Sequence, residues 1–270
     1  MKRLLSIELQ KIWKSRSSRI LTITYFVLLT SLALITTINF KFIGIDIRLA
    51  DVGIFNFPFI WHFNTFIAAF LKIFLAIVIV SMISNEYSYG TLKQNLIDGM
   101  SKKEFIMSKF LTVILFALIS TVYIFIVTLI LGYGYSSYDE PAIVFSELDY
   151  LVAFLIKLSA FFSFCLFLGL LIKRSAFALG FLVVWFIIER VFIGAVRVPE
   201  WMADLFPLQS MWNLIDWPFP RLEAYQQLEK MNGSAVVRDY SVHLSSMMIA
   251  VAWIVIFVLL SYKLLQKRDL

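Results

Sequence analysis

Long apolar runs separated by short polar segments make up most of this chain of 270 residues. Six runs have membrane-spanning length, at residues 20–40, 60–84, 110–132, 150–172, 176–196 and 245–265. At about 1.5 Å of rise per residue, roughly 20 helical residues cross the hydrocarbon core of a bilayer. The pattern therefore predicts an all-α membrane protein, with one transmembrane domain over residues 1–270 and six spans.

The composition supports a membrane location. Hydrophobic residues make up 61% of the chain, charged residues make up 16%, and the mean hydropathy is +0.86. A soluble core of this size could not bury so much apolar surface. The runs are also too long and too uniform for the alternating strands of a membrane β-barrel. The single cysteine, Cys165, excludes an intrachain disulfide.

Basic residues are distributed unevenly between the predicted loops. Six spans place both termini on one side, which then carries fifteen Lys and Arg residues against six on the other. Cytoplasmic loops are the ones enriched in Lys and Arg. We therefore predict cytoplasmic termini, a cytoplasmic loop at residues 85–109 and an outer segment at residues 197–244. This topology accounts for the net charge of +6, so no nucleic-acid partner is predicted.

The loop at residues 85–109 carries explicit signals for helix ends. Gly90 can end one helix in the left-handed conformation that side chains disfavour. Thr91 and Gln94 have the spacing of a capping box, in which each residue satisfies a free backbone N–H group of the other. These signals predict a short helix at about residues 92–98.

A second set of signals follows the short helix. Gly99 can end it, and Ser101 with Glu104 forms another capping-box pattern that starts the next span. A connection between two spans needs only a few residues of turn, so the additional helix indicates a docking element. The alternative is a solvated loop that has no partner.

Residues 1–19 have the pattern of an amphipathic helix. One face carries Leu5, Leu9, Ile12 and Trp13, and basic residues lie roughly opposite. Such a helix lies in the membrane interface. The alternative is a basic tail that only orients the first span.

The outer segment at residues 197–244 is rich in Trp and Pro, for example at Trp201, Trp212 and Trp217. Indole rings prefer the headgroup level of the bilayer. We expect short helices at the outer interface, which act either as an anchor or as a lid over an exit path.

Four charged residues lie deep within the predicted spans, away from their cytoplasmic ends: Lys72, Lys157, Glu189 and Arg190. Charges at this depth are costly and usually face the interior of a bundle. Lys157 and Glu189 both lie about 10 Å below the predicted outer surface, at 1.5 Å per residue. We therefore predict an ion pair between them. Lys72 either contacts a substrate or partner, or is a structural lysine.

Motifs for common chemistries are absent from the sequence. It contains no G-x-x-x-x-G-K-[ST] phosphate loop, no H-E-x-x-H and no G-x-S-x-G. The two histidines lie in separate regions and have no third metal ligand nearby in the sequence. We therefore predict no catalytic residues, no metal site and no cofactor of the chain's own.

The loop at residues 85–109 resembles that of permease subunits of bacterial ABC transporters of the ABC-2 exporter class. The resemblance rests on Glu86, Gly90-Thr91, the short helix at residues 92–98, the basic turn Ser101-Lys102-Lys103 and Lys109. It extends over the whole chain, with a basic amphipathic helix before six spans and a long outer segment between the fifth and sixth.

This resemblance implies a multi-pass permease of the bacterial cytoplasmic (inner) membrane that lines an export path. Its implied partners are a second permease copy, identical or different, the membrane lipid, and a separate ABC ATP-binding subunit that carries ATP and Mg²⁺. The residues at 92–98 would form the coupling helix, with Leu92, Leu96 and the turn from Gly99 to Lys103 in contact with the ATPase. The implied coupling residues are Glu86, Gly90, Thr91, Leu92, Gln94, Leu96, Gly99, Ser101, Lys102, Lys103 and Glu104.

Two other functions stay open at this stage. One is a secondary transporter or channel driven by an ion gradient, in which Lys72, Lys157 and Glu189 relay charge. The other is a membrane component that relays a signal without moving cargo.

Overall fold

Helices make up nearly all of the structure, a computed structural model that describes residues 2–35, 39–42, 45–48, 53–231 and 238–268. The helices are α1 (Lys2–Lys14), α2 (Arg16–Ile35), α3 (Phe59–Ser88), α4 (Thr91–Ile97), α5 (Lys102–Tyr135), α6 (Pro141–Val144), α7 (Asp149–Ile172), α8 (Ser175–Val196), α9 (Glu200–Ala203), α10 (Pro207–Trp212), α11 (Glu223–Met231) and α12 (Leu244–Gln266). A 3-10 turn covers Phe219–Arg221. Strands β1 (Asn39–Phe42) and β2 (Ile45–Arg48) pair antiparallel, which is a small departure from the predicted all-α class.

Five helical segments in the described part of the chain are long and apolar enough to cross a bilayer. They are α3, α5, α6 with α7 (Pro141–Ile172), α8 and α12. They correspond to five of the six predicted spans, and the protein is a multi-pass membrane protein. The predicted span at residues 20–40 corresponds in part to α2. Residues 36–38 lie outside the described residues, and β1 begins at Asn39, so the predicted helical end at residue 40 is wrong and a sixth span stays a prediction.

Helix α7 forms the centre of the bundle. Most of its apolar stretch is buried, whereas α8 and α12 bury less than a fifth of theirs. Helix α3 approaches it closely at Gly169, where an added Cβ would lie 3.1 Å from Cβ of Ile83. Helices α3 and α5 also meet through the stacked rings of Trp61 and Phe125, whose centroids are 5.6 Å apart.

Hydrogen bonds join the termini of neighbouring helices at each end of the bundle. At one end, Arg268, just beyond α12, donates a hydrogen bond of 2.9 Å to the hydroxyl of Tyr87 in α3. At the other, the Arg221 guanidinium donates hydrogen bonds of 2.7 and 2.8 Å to the Glu147 carboxylate before α7. We name them the α4 end and the α10 end, after the short helix at each. The five long segments run alternately between them, so α12 finishes at the α4 end.

Close packing around Gly132 of α5 gives a test of the bundle. A Cβ at this position would overlap the ring of Phe57, which is only 2% exposed and cannot move aside freely. We expect Gly132→Ala to lower the free energy of unfolding by about 1–3 kcal/mol, as overpacking of cores does. The measurement is the thermal unfolding midpoint of the purified protein in detergent.

Gly134 of the same helix provides the control. An added Cβ there meets no atom within 4 Å. Gly134→Ala should therefore leave the midpoint unchanged or raise it slightly, since alanine favours helices over glycine. Equal midpoints for the two variants would contradict the packing described here.

Candidate functional site

The short helix α4 is separated from its neighbours by two backbone breaks. Gly90 adopts a φ of 68° and Gly99 a φ of 98°, both in the left-handed region that glycine tolerates. The predicted helix–break–helix–break–helix pattern is therefore confirmed. The helix covers Thr91–Ile97, one residue earlier at each end than predicted.

The two predicted capping boxes have different outcomes. The Ser101–Glu104 box is formed, with the Glu104 N–H donating to Ser101 Oγ over 3.1 Å and the Ser101 N–H to Glu104 Oε2 over 2.9 Å. The Thr91–Gln94 box is not formed, because Gly90 is the N-cap residue and no side chain caps α4. The Thr91 hydroxyl instead donates to Glu86 Oε2 in α3.

Four charged side chains from three helices form the centre of the α4 end, and we call them the Glu86 cluster. Its members are Glu8 and Lys11 of α1, Glu86 of α3 and Lys109 of α5. The ammonium group of Lys109 donates to Glu8 Oε2 over 2.5 Å and to Glu86 Oε1 over 2.7 Å. Lys11 donates to the same Glu86 oxygen over 2.9 Å. The cluster therefore joins α1, α3 and α5, and Thr91 adds α4.

Three of the four members of the Glu86 cluster are buried, Lys11 is half-exposed, and the cluster is balanced in charge. Lys109 is fully buried, and Glu8 and Glu86 are 5% and 3% exposed. Burial alone would lower the pKa of Lys11, but its hydrogen bond to Glu86 and the nearby charge of Glu8 raise that pKa above its ordinary value. Two cations thus face two anions, which is the condition under which charges can be buried.

The turn after α4 is attached to the end of α12. The Lys102 ammonium donates to the carbonyl oxygens of Gln266 and Arg268 over 3.3 and 3.0 Å. The Arg268 guanidinium in turn binds the carbonyl oxygens of Leu170 and Leu171 at the end of α7. Both flanks of α4 are therefore fixed to the helix bundle, whereas Lys103 is exposed.

The outward surface of α4 differs from the predicted contact surface. Leu92 is 2% exposed and Leu96 is half-buried against the core, so both anchor the helix to the protein's own bundle. The solvent-facing side instead carries Ile97, 74% exposed, and the preceding Tyr89, 76% exposed. Lys93, Gln94 and Asp98 are also exposed.

Sequence reasoning missed three residues of this site: Glu8, Lys11 and Asn95. The Asn95 amide lies 3.5 Å from Glu86 Oε2 and adds a second contact between α4 and α3. Glu8 had a usable signal, because it is the only acidic residue in the first 45 positions, within a helix that is otherwise basic. An isolated acid there indicates a specific cationic partner.

The predicted ion pair between Lys157 and Glu189 is not formed, because helix α10 lies between them. Glu189 accepts hydrogen bonds from the Gln209 N–H over 2.6 Å and from Trp185 Nε1 over 3.0 Å. Lys157 donates to the Trp212 carbonyl oxygen over 3.4 Å. The carboxylate thus satisfies a free N–H group at the start of α10. The ammonium group binds the carbonyl of its last residue, which also accepts a hydrogen bond of 3.4 Å from the Ile215 N–H. Both charges also complement the helix dipole.

Lys72 and Arg190 contact aromatic rings. The Lys72 ammonium lies 4.4 Å from the ring centroid of Phe161. The Arg190 guanidinium lies 4.9 Å from the centroid of Trp212 and 5.5 Å from that of Phe186. In the described part of the chain, neither side chain has a carboxylate within ion-pairing distance. Lys72 and Arg190 therefore remain available to a ligand or partner.

Comparison with known proteins gives two matches. A family with the description "Protein of unknown function (DUF2705)" matches residues 23–270, a range that includes Glu86, α4 and Lys109. The chain is also 23% identical over 237 residues to "Uncharacterized protein YhcI" of Bacillus subtilis (strain 168). That alignment covers 78% of the present chain and 69% of the relative. Neither description states an activity, so the function has to be argued from the geometry.

The Glu86 cluster gives a direct stability prediction. Lys109→Met leaves two buried carboxylates with only the half-exposed Lys11, and removal of one partner of a buried ion pair typically costs about 3–5 kcal/mol. We expect a correspondingly lower thermal midpoint in detergent. The double variant Glu8→Gln/Lys109→Met should recover part of the loss, because it leaves one carboxylate, Glu86, facing the one ammonium group of Lys11.

Lys103→Met is the matched control, since Lys103 is an exposed lysine six positions earlier in the same helix. Its midpoint should equal that of the wild type. A Lys109→Met protein as stable as this control would show that the cluster does not hold the α4 end together.

Proposed function

We propose that this chain, which belongs to the DUF2705 family of proteins of unknown function, is the membrane-spanning permease subunit of an ATP-driven exporter of the ABC-2 type. The observation that carries the proposal is α4, a short helix attached to α1, α3 and α5 through buried charges while its outer side is exposed. Such a helix suits a docking element for a separate ATPase. The bacterial cytoplasmic membrane is the location that this function requires.

The contacts around α4 favour transmission of motion rather than independent movement of a loop. Thr91 and Asn95 bind Glu86 of α3, and Glu86 binds Lys109 of α5. Lys102 fixes the far side of the turn to α12. Displacement of α4 by a nucleotide-driven partner would therefore move the ends of α3 and α5 as a rigid body. Glu86 acts in this proposal as a fixed joint between the helices.

The exposed side of α4 offers a surface for the ATPase. Ile97 and Tyr89 present large apolar side chains to solvent, and Lys93 and Asp98 lie beside them. An apolar centre with a polar rim is the usual arrangement of a protein–protein contact. ATP and Mg²⁺ would bind the partner subunit, because this chain has no phosphate loop in its sequence. Export would proceed along an interface between two permease copies.

The charge of the α4 end supports a cytoplasmic position for it. Basic side chains at this end include Lys11, Lys93, Lys103, Lys173 and Arg268. Several acidic residues occupy the α10 end, among them Glu147, Asp204 and Asp216. By the positive-inside rule, this distribution supports the proposal that the α4 end faces the cytoplasm.

Substitution of Ile97 tests the docking role. Tagged wild-type chain purified from its host membranes should carry an ATP-binding subunit with a G-x-x-x-x-G-K-[ST] motif and should hydrolyse ATP. Ile97→Asp should reduce the bound subunit and the ATPase activity at least about tenfold, a loss that corresponds to about 1.4 kcal/mol. The physical reason is that an apolar contact is replaced by a carboxylate that must be desolvated.

Leu228→Asp is the control for this experiment. Leu228 is 60% exposed on the short helix α11 and so matches Ile97 in chemistry and exposure. It should leave the complex and its activity intact. Undiminished binding in Ile97→Asp would overturn the coupling role, and transport driven by an ion gradient without an ATPase would favour a secondary transporter.

Cysteine labelling tests the proposed orientation. The native Cys165 is fully buried and should not react. A membrane-impermeant maleimide added to intact cells should label Leu228→Cys, whereas Lys93→Cys in α4 should react only after the membrane is permeabilised. Labelling of Lys93→Cys in intact cells would show that the protein has the opposite orientation in the membrane.

A further inference from the structure

A cavity of about 290 Å³ lies at hydrocarbon depth between α3, α7, α8 and α10. Aromatic rings dominate its wall, including those of Phe66, Phe161 and Trp212, yet it also contains the two lysines Lys72 and Lys157. Lys157 lies eight residues into α7, or about 12 Å along the helix at 1.5 Å per residue. An apolar cavity that contains two cations is an unusual combination within a membrane span.

The two lysines have no anionic partner in the described part of the chain. Lys157 is 3% exposed and donates one hydrogen bond of 3.4 Å, to the Trp212 carbonyl. Asp216 attracts it at longer range without forming an ion pair. Within the described residues, Lys72 makes a cation–π contact with the Phe161 ring and forms no ion pair. By contrast, Lys109 at the α4 end binds two carboxylates directly.

A third cation strengthens the positive potential of the cavity. The Lys157 ammonium lies 5.7 Å from the ring centroid of Trp212, and the Arg190 guanidinium lies 4.9 Å from the same centroid. The adjacent carboxylate of Glu189 attracts Arg190 without forming an ion pair, so it offsets only part of the positive charge of the three cations. The cavity therefore has an excess of positive charge, which an anion would compensate.

The entrance of the cavity indicates where a ligand would come from. Four residues of its wall, on α3 and α8, are at least 40% exposed on the apolar surface of the bundle: Phe70, Ile73, Val183 and Phe186. A ligand that enters there comes from the hydrocarbon layer, so it needs an apolar body as well as an anionic group. The volume lies near the lower limit of about 300–1,000 Å³ for small-molecule sites. It fits a headgroup with the first part of a chain rather than a whole lipid.

We propose that this cavity binds an anionic lipid, with the phosphate of the headgroup between Lys72 and Lys157 and the beginning of an acyl chain among the aromatic rings. The inference uses only residues of the cavity and does not depend on the role of α4. The phosphate group itself could also come from a soluble anion, and the experiment separates these two sources.

The test uses the purified full-length chain in phosphatidylcholine nanodiscs. Native mass spectrometry after addition of phosphatidylglycerol should show preferential retention of phosphatidylglycerol on the wild type. The double variant Lys72→Met/Lys157→Met should lower this preference at least about tenfold, or about 1.4 kcal/mol. The variant should stay folded, because methionine fills the same space and the removal of two buried charges without an anionic partner offsets the loss of the Lys157–Trp212 hydrogen bond. An unchanged thermal midpoint verifies this.

Lys263→Met is the matched control, because Lys263 is an exposed lysine of the spanning helix α12. It should keep the wild-type preference for phosphatidylglycerol. Equal retention by the double variant, or no preference in the wild type, would overturn the proposal. If millimolar inorganic phosphate displaces phosphatidylglycerol, the site binds a free anion and the proposal of a lipid ligand is wrong. Ile97→Asp should bind phosphatidylglycerol normally, which keeps this result separate from the test of α4.

Discussion

The ammonium group of Lys109 is fully buried, and the α4 end of the bundle depends on how its charge is compensated. Transfer of an ammonium group from water into a protein interior costs several kcal/mol, and only close anions can offset this cost. Here the anions come from two other helices, Glu8 in α1 and Glu86 in α3. The charge can therefore be buried only when α1, α3 and α5 are assembled together. This requirement makes the arrangement of three helix ends cooperative.

The α10 end uses buried charge in a different way. Glu189 and Lys157 lie at opposite ends of α10, where Glu189 binds an N–H group of the first turn and Lys157 binds the carbonyl of the last residue. Within the apolar part of a membrane protein, such backbone groups have no water to bind. Lys157 also lines the cavity that α10 covers. Charge at this end thus fixes a helix over an apolar space.

The accuracy of sequence-based prediction for this chain depends on how local each signal is. Gly90, Gly99 and the Ser101–Glu104 box were predictable because a few neighbouring residues determine their conformation. Thr91 was assigned to the wrong partner, since its hydroxyl binds Glu86 across the break between two helices. Counting residues from the outer end of each span indicates that Lys157 and Glu189 lie at similar depths in the membrane. It could not show that another helix lies between them, because that depends on how the segment after α8 folds back.

The length of α4 explains why its attachment matters more than its own sequence. A helix of seven residues is unstable in isolation, because the cost of nucleation is offset only over about 12–15 residues. Leu92 and the contacts of Thr91 and Asn95 with Glu86 therefore supply the stability that the helix lacks. A helix held in this way cannot move without displacing Glu86 and hence Lys109. The rigidity that keeps α4 folded is thus the same property that would let it transmit a force into the bundle.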